Sequence, residues 1–137
     1  MRAGLPRQLA AVPPQAGADR DYDEAIAFYV GKLGFDLSED TDMGDGKRWV
    51  RVTPKGGQTS LLLARAATPQ QVARIGDQAG GRVWLFLYTD DLMRDHVAWL
   101  EAGVVFRETP RHEAYGKVVV FEDLYGNAWD LIEPAGA

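Results

Sequence analysis

Phe121-Glu-Asp-Leu-Tyr-Gly-Asn-Ala-Trp-Asp-Leu-Ile-Glu-Pro134 is the stretch that decides the fold. It reads as the end of one strand, a tight turn at Tyr125-Gly126-Asn127 built from residues that accept positive φ, and a second strand over Ala128 to Glu133. Upstream, Val83 to Tyr88 is a continuous apolar strand, and Asp90 is placed to cap a helix that runs to about Ala102 and stops at Gly103. Met93, Val97 and Leu100 form its apolar stripe, with His96 beside it. Val104 to Glu108 and Lys117 to Glu122 supply two more strands, which predicts a βαβββ module over residues 82–134.

The same order recurs in the first half. Gln8 to Val12 is strand-like, and Ala25, Phe28, Tyr29 and Leu33 then recur at helical spacing. Asp21 and Glu24 form a capping-box-like pair, and Gly34 ends the helix. Phe35 to Glu39, Arg48 to Thr53 and Thr59 to Arg65 read as strands. At a constant separation of 69 residues, Asp21 meets Asp90, Gly34 meets Gly103, Glu39 meets Glu108, Val50 meets Val119, Gly57 meets Gly126 and Leu62 meets Leu131. These coincidences fall at caps, stops, strand cores and turns, so the chain reads as α+β with two tandem βαβββ modules. The boundaries are an atypical N-terminal segment over 1–20 that contains the first strand, a first module over 7–66, a connector over 67–81 with a short helix at Pro69 to Ile75, and the second module over 82–134.

Composition narrows the function. Fifteen Lys and Arg face twenty Asp and Glu, for a net charge of -5, and the basic residues are scattered. A nucleic-acid partner would need a concentrated positive surface, so none is expected. No basic amphipathic helix or long apolar run points to a membrane. The chain has no cysteine, which removes disulfides and thiolate sites. A soluble, cytoplasmic protein is the expectation. No phosphate loop, nucleophile elbow or His-Glu-x-x-His zinc motif is present.

The segments Asp21-Tyr-Asp-Glu-Ala-Ile-Ala-Phe-Tyr29, Lys32-Leu-Gly-Phe35 and Phe121 to Pro134 resemble the vicinal oxygen chelate superfamily, which holds glyoxalase I, extradiol dioxygenases and bleomycin-resistance proteins. The resemblance implies a curved mixed sheet around a cavity, a homodimer and, in the enzymes, a divalent metal held from four strands. The family's carboxylate ligand corresponds to Asp130, and the repeat places Leu61 at the matching position of the first module. Trp84 stands where the second module's histidine would be, and Arg7, Gln8 or Gln15 where the first module's would be. Only one oxygen ligand is retained, whereas a dependable metal site needs at least three. No metal and no other cofactor are therefore expected.

Strand alternation then places Trp84, Phe86 and Tyr88 on the cavity side of their strand, Trp49 and Arg51 on theirs, and Asp130 on the last. Tyr115 joins these as a ligand contact. Aromatic walls with one cation and one anion suit an aromatic or amphipathic small molecule between the modules, although the same aromatics could fill a tight core or a dimer interface. A metal-independent, antibiotic-sequestering-like binding protein is the leading expectation. The alternatives are a lactoylglutathione-lyase-like or dioxygenase-like enzyme gathering Zn, Ni, Mn or Fe through His112, Glu113, Glu122 or Glu133, and a metal-free isomerase using Asp130 or His112 as base.

Overall fold

A computed structural model describes residues 9–13 and 20–136 of the chain. It divides into two compact units, residues 1–75 and 76–137. In the first, β1 (Leu9–Val12), β2 (Asp36–Gly44), β3 (Lys47–Thr53) and β4 (Leu61–Arg65) form a sheet in the order β1-β4-β3-β2. β1 runs parallel to β4, and the other pairs are antiparallel. Helix α1 (Arg20–Ile26) continues into a π-helical stretch, Ala27–Lys32. The short α2 (Pro69–Ala73) follows β4 and is capped by the Thr68 hydroxyl.

The core of this unit follows from period two along the strands. Ala10, Val12, Val50, Val52, Leu61 and Leu63 are buried on one face, where Ala25, Phe28 and Tyr29 of the helical segment join them. Leu33 donates its N–H to the Phe28 carbonyl and Phe35 to the Tyr29 carbonyl, with Gly34 at φ 80° between them. This is the left-handed stop that only glycine adopts without strain.

The second unit repeats the order as β5 (Val83–Tyr88), β8 (Ala128–Pro134), β7 (Gly116–Glu122) and β6 (Arg111–Glu113). Helix α3 (Leu92–Glu101) ends as its counterpart does, with Gly103 at φ 92° and Val104 N–H bonded to the Trp99 carbonyl. Trp99 meets Phe121 edge-on at 5.1 Å and Phe121 stacks on Trp129 at 5.7 Å between ring centres, and Val119 and Leu131 complete the buried layer.

Several expectations are corrected. Asp91, not Asp90, caps α3, and Asp21 lies inside the first turn of α1, fully buried against Arg65. Met93, Val97 and Leu100 are about half exposed, whereas Leu92 and Trp99 are buried and His96 packs on Phe106 at 4.6 Å. The buried side of α3 is thus set by Leu92, His96 and Trp99. Residues 104–108 form a single bridge, Phe106 to Phe121, instead of a strand. The Glu108 carboxylate accepts the Val120 N–H, a donor that a continuous ladder would give to a backbone carbonyl. The strand forms three residues after Glu108, at Arg111–Glu113.

The constant separation of 69 also fails at the last strands. Val50 pairs with Leu63 and Arg51 with Leu62, whereas Val119 pairs with Leu131 and Val120 with Asp130. The counterpart of Asp130 is therefore Leu62, not Leu61, because the β3–β4 turn holds one more residue than the β7–β8 turn. Arg7, Gln8 and Gln15 lie outside the described residues.

Candidate functional site

The first unit contains a cavity of about 470 Å³ at the end of the sheet where β3 begins and β4 ends. Trp49, Leu62, Ala64 and Ala11 face it from the strand side opposite the helix. Lys47, Arg48, Tyr22, Arg65 and Gln71 border it. The two arginines carry structural partners. Arg48 is held by Asp40 at 2.7 Å and Asp23 at 2.9 Å, and those carboxylates push its guanidinium pKa further up. Arg65 donates to both oxygens of Asp21, at 2.6 and 3.2 Å. Both guanidinium groups also lie against the Tyr22 ring, at 5.3 and 5.0 Å.

Trp49 is 40% exposed and walls the cavity. Arg51 shares its face of the sheet but does not line the cavity: it is tied to Glu39 at 3.0 Å and to Ser60 at 3.0 Å. The Glu39–Arg51 register pair across β2 and β3 accounts for this, and a carboxylate directly opposite a cation in a sheet is a favourable cross-strand contact.

In the second unit, Phe86, Tyr88, Val118, Val120, Asp130 and Ile132 share the face away from α3, since Phe86 and Val120 are both in register with Asp130. Phe86 is 59% and Tyr88 63% exposed. Asp130 Oδ1 is buried and has no hydrogen-bond partner among the described residues. Burial pushes the Asp130 carboxyl above its ordinary range; Arg111 opposes this and Glu108 reinforces it. Arg111 itself is held by Glu108, Glu113 and Tyr115, which keeps the guanidinium charged.

The remaining predicted residues are dispersed. A bulge between Val83 and Leu85 takes Trp84 off the face of Phe86 and Tyr88 and turns its ring edge-on to Trp129 at 5.7 Å. Trp84 instead borders a water-sized cleft of about 30 Å³ with Arg107 and Asn127. His112 alternates with Arg111 and Glu113 on β6 and therefore points to the opposite face from Asp130. Tyr115 lies in the β6–β7 turn, half exposed.

A metal is the group the resemblance implies, and the donors among the described residues do not fit one. Among the described residues no three His, Asp or Glu side chains converge, and Leu62 occupies the place that Asp130 fills in the other unit. The Asp123-x-x-Gly-Asn127 segment is a structural turn. Asp123 accepts N–H groups from Tyr125 and Asn127 and the Asn127 side-chain amide at 2.9 Å, and Asn127 in turn accepts the Gln78 N–H.

Lys47, Gln71 and the alanines of the cavity were not singled out from sequence. The signal was the pair of small residues, Ala11 and Ala64, at strand positions whose counterparts are large.

The Glyoxalase/Bleomycin resistance protein/Dioxygenase superfamily profile matches residues 16–131. An uncharacterized protein of Shewanella frigidimarina (strain NCIMB 400) is 57% identical over 115 residues, covering 82% of this chain and 85% of that protein. The crystal structure of UcmS2 superposes with a TM-score of 0.73 at 28% identity, covering 97% of this chain and 99% of that one. That of TnmS3, described as an antibiotic binding protein from Streptomyces sp. CB03234, gives a TM-score of 0.70 at 32% identity, covering 98% and 100%.

Proposed function

The chain belongs to the glyoxalase/bleomycin resistance protein/dioxygenase superfamily, and on that premise we propose that it is a metal-independent binding protein for an aromatic or amphipathic small molecule. The observation that carries this reading is the cavity of about 470 Å³ beside Trp49. Its volume lies within the roughly 300–1,000 Å³ of drug-sized ligand sites, and its apolar lining with a few polar side chains at the border is the pattern such sites share. The antibiotic-binding description of TnmS3, at 32% identity, supports the same class of activity. The donor set supports independence from metal, because leucine and tryptophan stand at positions where the family's metal enzymes carry ligands.

Binding would draw on apolar burial and stacking against Trp49. Covering about 200 Å² of apolar ligand surface is worth roughly 5 kcal/mol before the entropy of association is subtracted. The second unit's face, with Phe86, Tyr88 and Asp130, offers a further apolar surface with one hydrogen-bonding carboxyl. A homodimer in the cytoplasm is part of the proposal, supported by the exposed Met93, Val97 and Leu100 of α3. Among the described residues no helix is long and apolar enough to cross a membrane.

The test is a panel of aromatic metabolites and antibiotics followed by tryptophan fluorescence and thermal shift, with elemental analysis of protein purified without chelator. Saturable quenching that is lost in Trp49→Phe, from metal-free protein, is the expected result. Stoichiometric Zn, Ni, Mn or Fe, or no ligand-induced change across the panel, would reject the reading.

A further inference from the structure

The cavity of the first unit is open because small side chains stand where the other unit has large ones. Ala11 pairs with Ala64, while their counterparts Tyr88 and Ile132 pair in the same register. The charges differ as well. Leu62 replaces Asp130, so the strand that presents a carboxylate in the second unit presents none here. The described residues that line the cavity include three cations, Lys47, Arg48 and Arg65, and no carboxylate. This occurs in a chain whose net charge is -5.

The three cations are not equivalent. The charges of Arg48 and Arg65 are balanced by Asp23, Asp40 and Asp21. Lys47 lies at the start of β3, two residues from Trp49, and its ammonium enters no ion pair or hydrogen bond among the described residues. An ammonium on a flexible four-carbon stem can reach over an apolar cavity and meet an acidic group at its mouth. None of the three carboxylates that hold the arginines lines the cavity, and hydrogen bonds between an ammonium and an anion are among the stronger polar contacts.

We propose that the cavity is a site for a planar aromatic ligand bearing an acidic group, with the ring system against Trp49 and the alanine floor and the anion at Lys47. This rests on the small-molecule binding reading above and names the ligand class for that cavity. Neutral aromatics enter the same space with lower affinity, and cationic ones are disfavoured.

Two fluorescent probes of nearly the same skeleton separate the parts of the argument: 1-anilinonaphthalene-8-sulfonate, which is anionic, and N-phenyl-1-naphthylamine, which is neutral. Titrated into the native full chain at low salt, the anionic probe is expected to bind at least about tenfold more tightly. Lys47→Met should bring the affinities of the two probes together, and added salt should weaken the anionic probe more than the neutral one. Ala64→Ile, which restores the second unit's side chain, should block both probes in a protein that still melts cooperatively. Equal affinity for the two probes, or a preference that survives Lys47→Met, overturns the proposal and leaves the binding reading standing. Failure of both probes to bind overturns the two together.

Discussion

Asp130 is the side chain whose ionisation the fold resists most visibly. Its Oδ1 is buried without a hydrogen-bond partner among the described residues, and burial raises its pKa in the folded state. An unfolded aspartate titrates near pH ~3.9. A carboxyl with a raised folded pKa binds its proton more tightly in the native state, so its contribution is fully present below that pH and is lost as pH rises through the folded pKa. Asp130→Asn removes this loss. The melting temperature of the variant relative to the parent is therefore expected to climb from about pH 4 upward and then level off, in thermal melts between pH 3 and 8. A flat or falling difference would show that the carboxylate is well accommodated. The sequence made Asp130 legible, because alternation between Trp129 and Leu131 leaves it only one face. It did not reveal that Arg51 is held by Glu39, since that contact depends on which residue of β2 comes opposite β3.

At the scale of elements, α1 and β4 are joined by an ion pair between a buried carboxylate and a partly exposed guanidinium. Asp21 is fully buried and Arg65 donates to both of its oxygens. At the corresponding place in the second unit the roles are exchanged, with Glu133 of β8 accepting the Leu92 N–H at the start of α3. Arg65→Met leaves a buried carboxylate without its cation and is expected to cost about 3 kcal/mol in urea unfolding, because the desolvation of Asp21 is no longer offset. The double variant Asp21→Leu/Arg65→Met should recover much of that loss, since the buried charge is gone too. No recovery would mean that the pair packs rather than compensates. The helix stops and strand cores were readable from Gly34, Gly103, Val50 and Val119, where the separation of 69 holds in structure. Bulges and turn lengths were not readable. The extra residue in the β3–β4 turn moves the match from Leu61 to Leu62, and the bulge in β5 removes Trp84 from the face of Phe86. In a structure of period two, one residue changes the side of the sheet.

For the whole molecule, the proposal of a homodimer carries a direct expectation. Sedimentation equilibrium or light scattering should return twice the sequence mass at micromolar concentration, and charged replacements at Val97 and Leu100 should shift it toward the monomer. A parent protein that remains monomeric at high micromolar concentration would reject the homodimer. Both residues are about half exposed on α3, where a buried interface would remove their apolar surface from water.

The sequence by itself determined the two-module α+β architecture and the family. Capping residues, glycine stops and alternating apolar strands are local signals, and they fall in the same order in both halves. It also limited the possible metal donors to oxygen groups and two histidines, because the lack of cysteine is a matter of residue type alone. The tertiary structure alone decided which side chains share a face and where space remains. Trp49 lines a cavity, while Arg51 is spent on an ion pair and His112 turns away from Asp130. Those outcomes depend on strand register and on the volumes of paired residues such as Ala11 and Ala64, and neither is a property of any single stretch of chain.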